Sequence, residues 1–156
     1  MAELVNDAGA LRFALDVGGR EAGIEPAQAR LLIAGGVEYR DARDGEWWPM
    51  LRLPPAYVPP GAVEALVAGV REVLQAAVPG FAWRPADDAA IALQLGAVPG
   101  GLVAEVGLDV GAFLADVAGV AHRLDAELAL FRFRATTEAA VRFADALTRE
   151  VAELPA

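Results

Sequence analysis

Leu130-Phe-Arg-Phe-Arg134, followed through Ala135-Thr-Thr137 by Glu138-Ala-Ala-Val-Arg-Phe-Ala-Asp-Ala-Leu-Thr-Arg-Glu-Val151, changes its apolar period part-way along. Phe131 and Phe133 alternate with Arg132 and Arg134, which predicts a strand over Glu127 to Arg134 with one buried face. Ala140, Phe143, Ala144, Leu147, Val151 and Leu154 then recur at helical spacing and form the apolar stripe of a C-terminal helix. Thr136 or Thr137 supplies its N-cap, and Glu138 lies in the first turn, where the helix dipole favours an acid.

The same figure occurs earlier. Met50-Leu-Arg-Leu53 leads to Val63-Glu-Ala-Leu-Val-Ala-Gly-Val-Arg-Glu-Val-Leu74, where Val63, Leu66, Val67, Val70, Leu74 and Ala77 share one helical face. Prolines at 54, 55, 59 and 60 make the connection rigid, the helix begins after Pro60, and Pro79-Gly80 ends it. An Arg-bearing strand followed by an amphipathic helix therefore appears twice. The expectation is a single α+β domain over 1–156, with antiparallel sheets and two amphipathic helices packed on one face, arranged as two β-β-β-α units over 1–80 and 81–156. The alternative is that any strand and amphipathic helix look alike in an Ala-rich chain.

Further strands follow from strict alternation. Leu11, Phe13, Leu15 and Val17 alternate with Arg12, Ala14 and Asp16, and Gly18-Gly19 is expected to end that strand. Arg30 to Arg40 is apolar at Leu31, Ile33, Val37 and Tyr39, with Gly35-Gly36 marking a bulge or a close backbone approach. Asp44-Gly45 turns the chain into Trp47 to Leu53 as a hairpin. Ile91 to Leu95 and Leu102 to Leu108 make another, joined at Pro99-Gly100-Gly101. Val110, Phe113, Leu114 and Val117 behind Asp109 suggest a short helix over Asp109 to Gly119, although Gly111 opposes it.

The 156 residues contain no Cys, Ser or Lys and a single His, His122. Most covalent and proton-shuttling catalysis draws on those groups, so the chain is not expected to be an enzyme. A high-GC coding bias accounts equally well for the missing Lys and Ser. His122-Arg123-Leu124-Asp125 offers an imidazole and a carboxylate for weak acid/base work, and a surface His is the plainer reading. No thiolate accompanies His122 to build a zinc site, Asp41, Asp44 and Glu46 read as a solvated turn, and Asp87-Asp88 as a polar loop, so no metal or cofactor is expected. Gly18-Gly19 and Gly96 to Gly101 lack the spacing of nucleotide-binding loops.

The net charge of -9 argues against nucleic acid or an anionic membrane as partner and suits a basic protein. Met1 to Asn6 carries an acid where a signal peptide needs bases, and Glu105, Asp109 and Asp116 interrupt the most apolar stretch, so a soluble, cytoplasmic protein is expected. Trp47 and Trp48 are adjacent on a strand and must point to opposite faces. One is a candidate for exposure beside Tyr39, Arg40, Arg43 and Arg52, an aromatic and Arg makeup typical of interaction hot spots, unless a second layer buries both. Arg132 and Arg134 either join that surface or pair with acids of a neighbouring strand.

The order of elements, carried by Leu11 to Val17, by Trp47 to Leu53 with its helix to Val78, and by Leu128 to Val151, resembles that of WapI-type bacterial immunity proteins and related uncharacterised actinobacterial families. No motif matches residue by residue. The resemblance implies a stoichiometric inhibitor of a toxin, and the acidity of the chain fits a basic one. Other expectations are a homodimeric chaperone or adaptor and a small-ligand site between sheet and helices.

Overall fold

In a computed structural model, residues 1–85, 90–109 and 128–155 are described, and they form nine strands and two helices. The strands are β1 (Ala2–Val5), β2 (Leu11–Arg20), β3 (Leu31–Arg40), β4 (Trp47–Arg52), β5 (Ala56–Val58), β6 (Gly80–Trp83), β7 (Ile91–Val98), β8 (Gly101–Asp109) and β9 (Leu128–Thr136). The helices are α1 (Ala62–Leu74) and α2 (Thr137–Glu153). The class is α+β, as expected: one sheet runs β1-β2-β3-β4 with β5 also on β3, the other runs β6-β7-β8-β9, and every pairing is antiparallel. Each sheet is a meander in chain order followed by a helix, with four successive strands where the sequence suggested three.

The strands with clear alternation appear where expected. Gly18-Gly19 does not end β2; the ladder with β3 shifts between Val17 and Gly19 and continues to Arg20. Gly35 and Gly36 mark close approaches: a Cβ at Gly35 would lie 2.9 Å from Ile91 of the other sheet, and one at Gly36 would lie 2.5 Å from the Leu51 carbonyl. Three short strands escaped the sequence reading. One is β5, which together with β4 occupies a single edge of β3, interrupted by Pro54-Pro55. Proline has no N–H to give to a ladder, and an edge is where its absence is tolerated. The others, β1 and β6, form the first strand of each meander.

Thr136 is the N-cap of α2, its Oγ1 accepting from the Ala139 N–H at 3.1 Å. α1 ends earlier than Pro79-Gly80 suggested, because Gln75 leaves the helix and Ala76 takes a φ of 55°, so Ala77 lies beyond its stripe. Each helix packs on the other half's sheet: α1 on β6, β7 and β8, and α2 chiefly on β1 and β2, with lesser contact to β8 and β9. Phe13 of β2 meets Phe143 of α2 with ring centroids 5.9 Å apart. Gly69 is buried against the Phe81 ring of β6, and the Trp83 Nε1–H donates to the Ala62 carbonyl at 2.7 Å. The result is one apolar core that runs through both sheets and both helices.

Candidate functional site

The β3–β4 hairpin separates its two tryptophans as alternation requires. On the inner face, Val37 opposite Leu51 belongs to the core or packs against it. The next row outward on that face, Tyr39 opposite Trp48, is left uncovered, with 41% and 51% of each residue exposed. The ladder slips between Val37 and Glu38, so that Pro49 faces Glu38, Leu51 faces Val37 and Met50 is the extra residue, itself 51% exposed. A bulge at an edge re-aims side chains and ends regular pairing. Tyr39, Trp48 and Met50 thus gather on the outer part of one hairpin.

Trp47 takes the opposite face, opposite Arg40, and is half-buried. The Arg12 guanidinium stacks on its ring, 4.4 Å from the centroid. Arg12 also donates from Nε to Glu38 Oε2 at 2.7 Å and from Nη1 to Glu3 Oε1 at 2.5 Å, while Arg52 Nη2 donates to Glu38 Oε1 at 2.5 Å. Glu3, Arg12, Glu38 and Arg52 therefore alternate in sign across β1, β2, β3 and β4. Glu38, at 1% exposure, is the buried centre of this ladder. Burial pushes its carboxyl upward, but the hydrogen bonds from Arg52 and Arg12 and their charges outweigh burial and hold it below the ordinary value of 4.5. The sequence reading missed Glu38; its signal was an acid on the polar register of β3, opposite Arg12 once the strands are aligned.

The other expected interface arginines are tethered locally. Arg40 Nε donates to the Gly45 carbonyl at 2.9 Å, and Arg43 is paired with Asp41, whose carboxyl is held below its usual range by the side-chain hydrogen bond of Arg43 and then by Arg43's backbone N–H. Asp44 accepts from the Glu46 N–H, as a polar turn would. Arg132 and Arg134 lie on β9 of the other sheet, away from the β3–β4 ladder. Arg132 stands opposite Glu105, and Arg134 reaches the Pro99 carbonyl and Asp7. The link between the two sets is the β1–β2 turn: Asp7 N–H donates to the Arg134 carbonyl, and Arg40 N–H donates to that of Ala10.

Among the described residues, no three His, Cys, Asp or Glu side chains lie close enough to hold a metal ion, and no helix is long and apolar enough to cross a membrane. His122 with Asp125, Asp87-Asp88 and the helix expected after Asp109 fall outside the described residues. A mainly apolar groove of about 330 Å³ runs between α1 and α2, lined by Val63, Val67, Leu147 and Val151 with Arg71 and Thr148 at its side. No family model, curated protein or solved structure matches the chain.

Proposed function

We propose that this chain is a non-catalytic protein-binding domain that works in the bacterial cytoplasm, and that its partner is a basic toxin which it neutralises as an immunity protein. The observation that supports this most is the uncovered pair Tyr39 and Trp48 with Met50 beside it. Large aromatic side chains exposed on a rigid hairpin offer much apolar area at little entropic cost, which is the composition of binding hot spots. The net charge of -9 adds long-range attraction for a cationic partner and disfavours an anionic one.

The test is affinity capture with the wild type and with Trp48→Ala and Tyr39→Ala, followed by intrinsic fluorescence with the purified partner. The expected result is a basic protein, encoded beside this gene, bound in a fixed ratio and more weakly at high salt. Trp48→Ala should weaken binding by at least about 2 kcal/mol, roughly thirtyfold. Recovery of no protein at any salt concentration, or equal capture by the variants, would overturn the proposal.

A further inference from the structure

Among the described residues the two sheets have four edges, and three carry features that discourage another strand. The β4/β5 edge contains Pro49, Pro54 and Pro55, β6 has four residues set between Pro79 and Pro85, and β9 carries Arg132 and Arg134 and has its Arg134 carbonyl already occupied by Asp7. β1 is as short as β6 and carries Glu3, but it has no proline within or beside it and no bulge. The direction of its polar groups follows from one bond: Asn6 N–H donates to the Leu11 carbonyl, so Asn6, Leu4 and Ala2 turn their amides toward β2. In an antiparallel ladder the residues between them turn theirs away. Glu3, Val5 and Asp7 therefore point outward. Asp7 satisfies its N–H on β9. Glu3 and Val5 face a groove of about 600 Å³, bounded on the far side by Arg142, Asp145, Ala146 and Arg149 of α2.

The charges around that groove are already paired, with one exception. Glu3 is held by Arg12, Asp145 by Arg71, Arg142 by Glu138, and the Met1 ammonium, which also lines the groove, by Glu150 and Asp16. Arg149 is exposed and, among the described residues, has no partner. Arg149 is thus the cation of this groove left open to a carboxylate, on a chain whose net charge is -9. A second copy of so acidic a chain is repelled at long range, and any strand added here gains most by bringing a single carboxylate to Arg149 without further negative charge.

We propose that β1 and α2 form a β-augmentation site that takes an extended segment of a partner protein, paired to the outward amides of Glu3 and Val5 and placing one carboxylate against Arg149. The main-chain bonds supply the affinity and the carboxylate the selectivity. This site is separate from the Tyr39–Trp48 patch and stands whether or not that patch binds a toxin.

The probes are three synthetic octapeptides of alternating threonine and valine, one with a central glutamate, one with a central lysine and one with neither. Each is titrated into the full chain at millimolar concentrations, with backbone amide shifts and exchange rates read by NMR. The glutamate peptide should shift and protect Glu3 and Val5, and bind about two- to fivefold more tightly than the lysine peptide. Val5→Pro should abolish binding while the protein stays folded, because the lost N–H points away from β2. Arg149→Glu should remove or reverse the preference between peptides, and Trp48→Ala should change nothing. Unmoved Glu3 and Val5 amides, binding that survives Val5→Pro, equal affinity for all three peptides, or self-association removed by Val5→Pro would each overturn the proposal.

Discussion

Replacing Glu38 by alanine isolates the energetics of the charge ladder. The substitution leaves two arginines, and their surroundings differ. Arg52 has a side chain 63% exposed and returns to water, whereas the Arg12 side chain is 11% exposed beneath Trp47. Arg12 loses both contacts to Glu38 and keeps Glu3 and the aromatic face. Removing one member of a buried pair typically costs about 3–5 kcal/mol, and retention of Glu3 places Glu38→Ala near the lower figure, at about 3 kcal/mol. For a chain of this size that lowers Tm by about 6–12 °C. Arg52→Ala, which removes the exposed partner, should cost under about 1.5 kcal/mol. Replacing Arg12 and Glu38 together by leucine should recover most of the loss, since no charge is then left buried and unpaired. Urea unfolding followed by far-UV circular dichroism measures all four proteins, and an unchanged urea dependence shows that the denatured states are comparable. A loss below about 1 kcal/mol for Glu38→Ala, or one equal to that of Arg52→Ala, would refute the assignment of Arg12 as the group that needs Glu38.

The pH dependence of the same group has a definite sign. Its folded pKa lies below the ordinary 4.5, so its stabilisation is complete above that pH and is lost as pH falls through the folded value. The stability difference between wild type and Glu38→Gln should thus be flat from neutral pH to about 5 and narrow only in more acid solution, as urea titrations across that range would show. Gly69→Ala should destabilise despite the better helix propensity of alanine. The new Cβ would lie 2.3 Å from the Phe81 ring, so overpacking of about 1–3 kcal/mol exceeds a propensity gain of about 1 kcal/mol, and Phe81→Leu in the same chain should relieve it.

What the sequence disclosed depended on length and on one-sided burial. β2, β7, β8 and β9 run for eight or more residues and alternate larger apolar side chains with polar or small ones over most of that length, so their period was visible, and α1 and α2 showed their stripes because each buries one face. β1 and β6 have four residues each and β5 has three, too few for a period to emerge. The split between Trp47 and Trp48 needed only the geometry of adjacent residues on a strand, whereas the exposure of Trp48 did not follow from it, because a second layer over that row would have buried both rings. Glu38 could not be singled out in this way. It occupies an outward register position like any solvated acid, and only the alignment of β2, β3 and β4 brings Arg12 and Arg52 to it. Gly69 was hidden for a related reason: its closeness to Phe81 is a contact between a helix of the first half and a strand of the second.

That exchange between halves has a consequence for folding. If the chain consisted of two β-meander and helix units lying side by side, residues 1–79 and 80–156 would each retain a sheet covered by its own helix. Instead, the first fragment contains β1 and β2 without α2, and the second contains β6 and β7 without α1. Phe13 would lose Phe143, and Trp83 Nε1–H would lose the Ala62 carbonyl, leaving apolar and polar groups exposed or unsatisfied at once. Each fragment alone should therefore lack a cooperative unfolding transition. Mixing the two should restore one, with a midpoint that rises with concentration because the core has become intermolecular. The whole chain should unfold in a single step by circular dichroism and by tryptophan fluorescence, with coincident curves. A fragment that melts cooperatively by itself would show that its helix can cover its own sheet, and the exchanged packing would then be an arrangement the fold tolerates rather than one it requires.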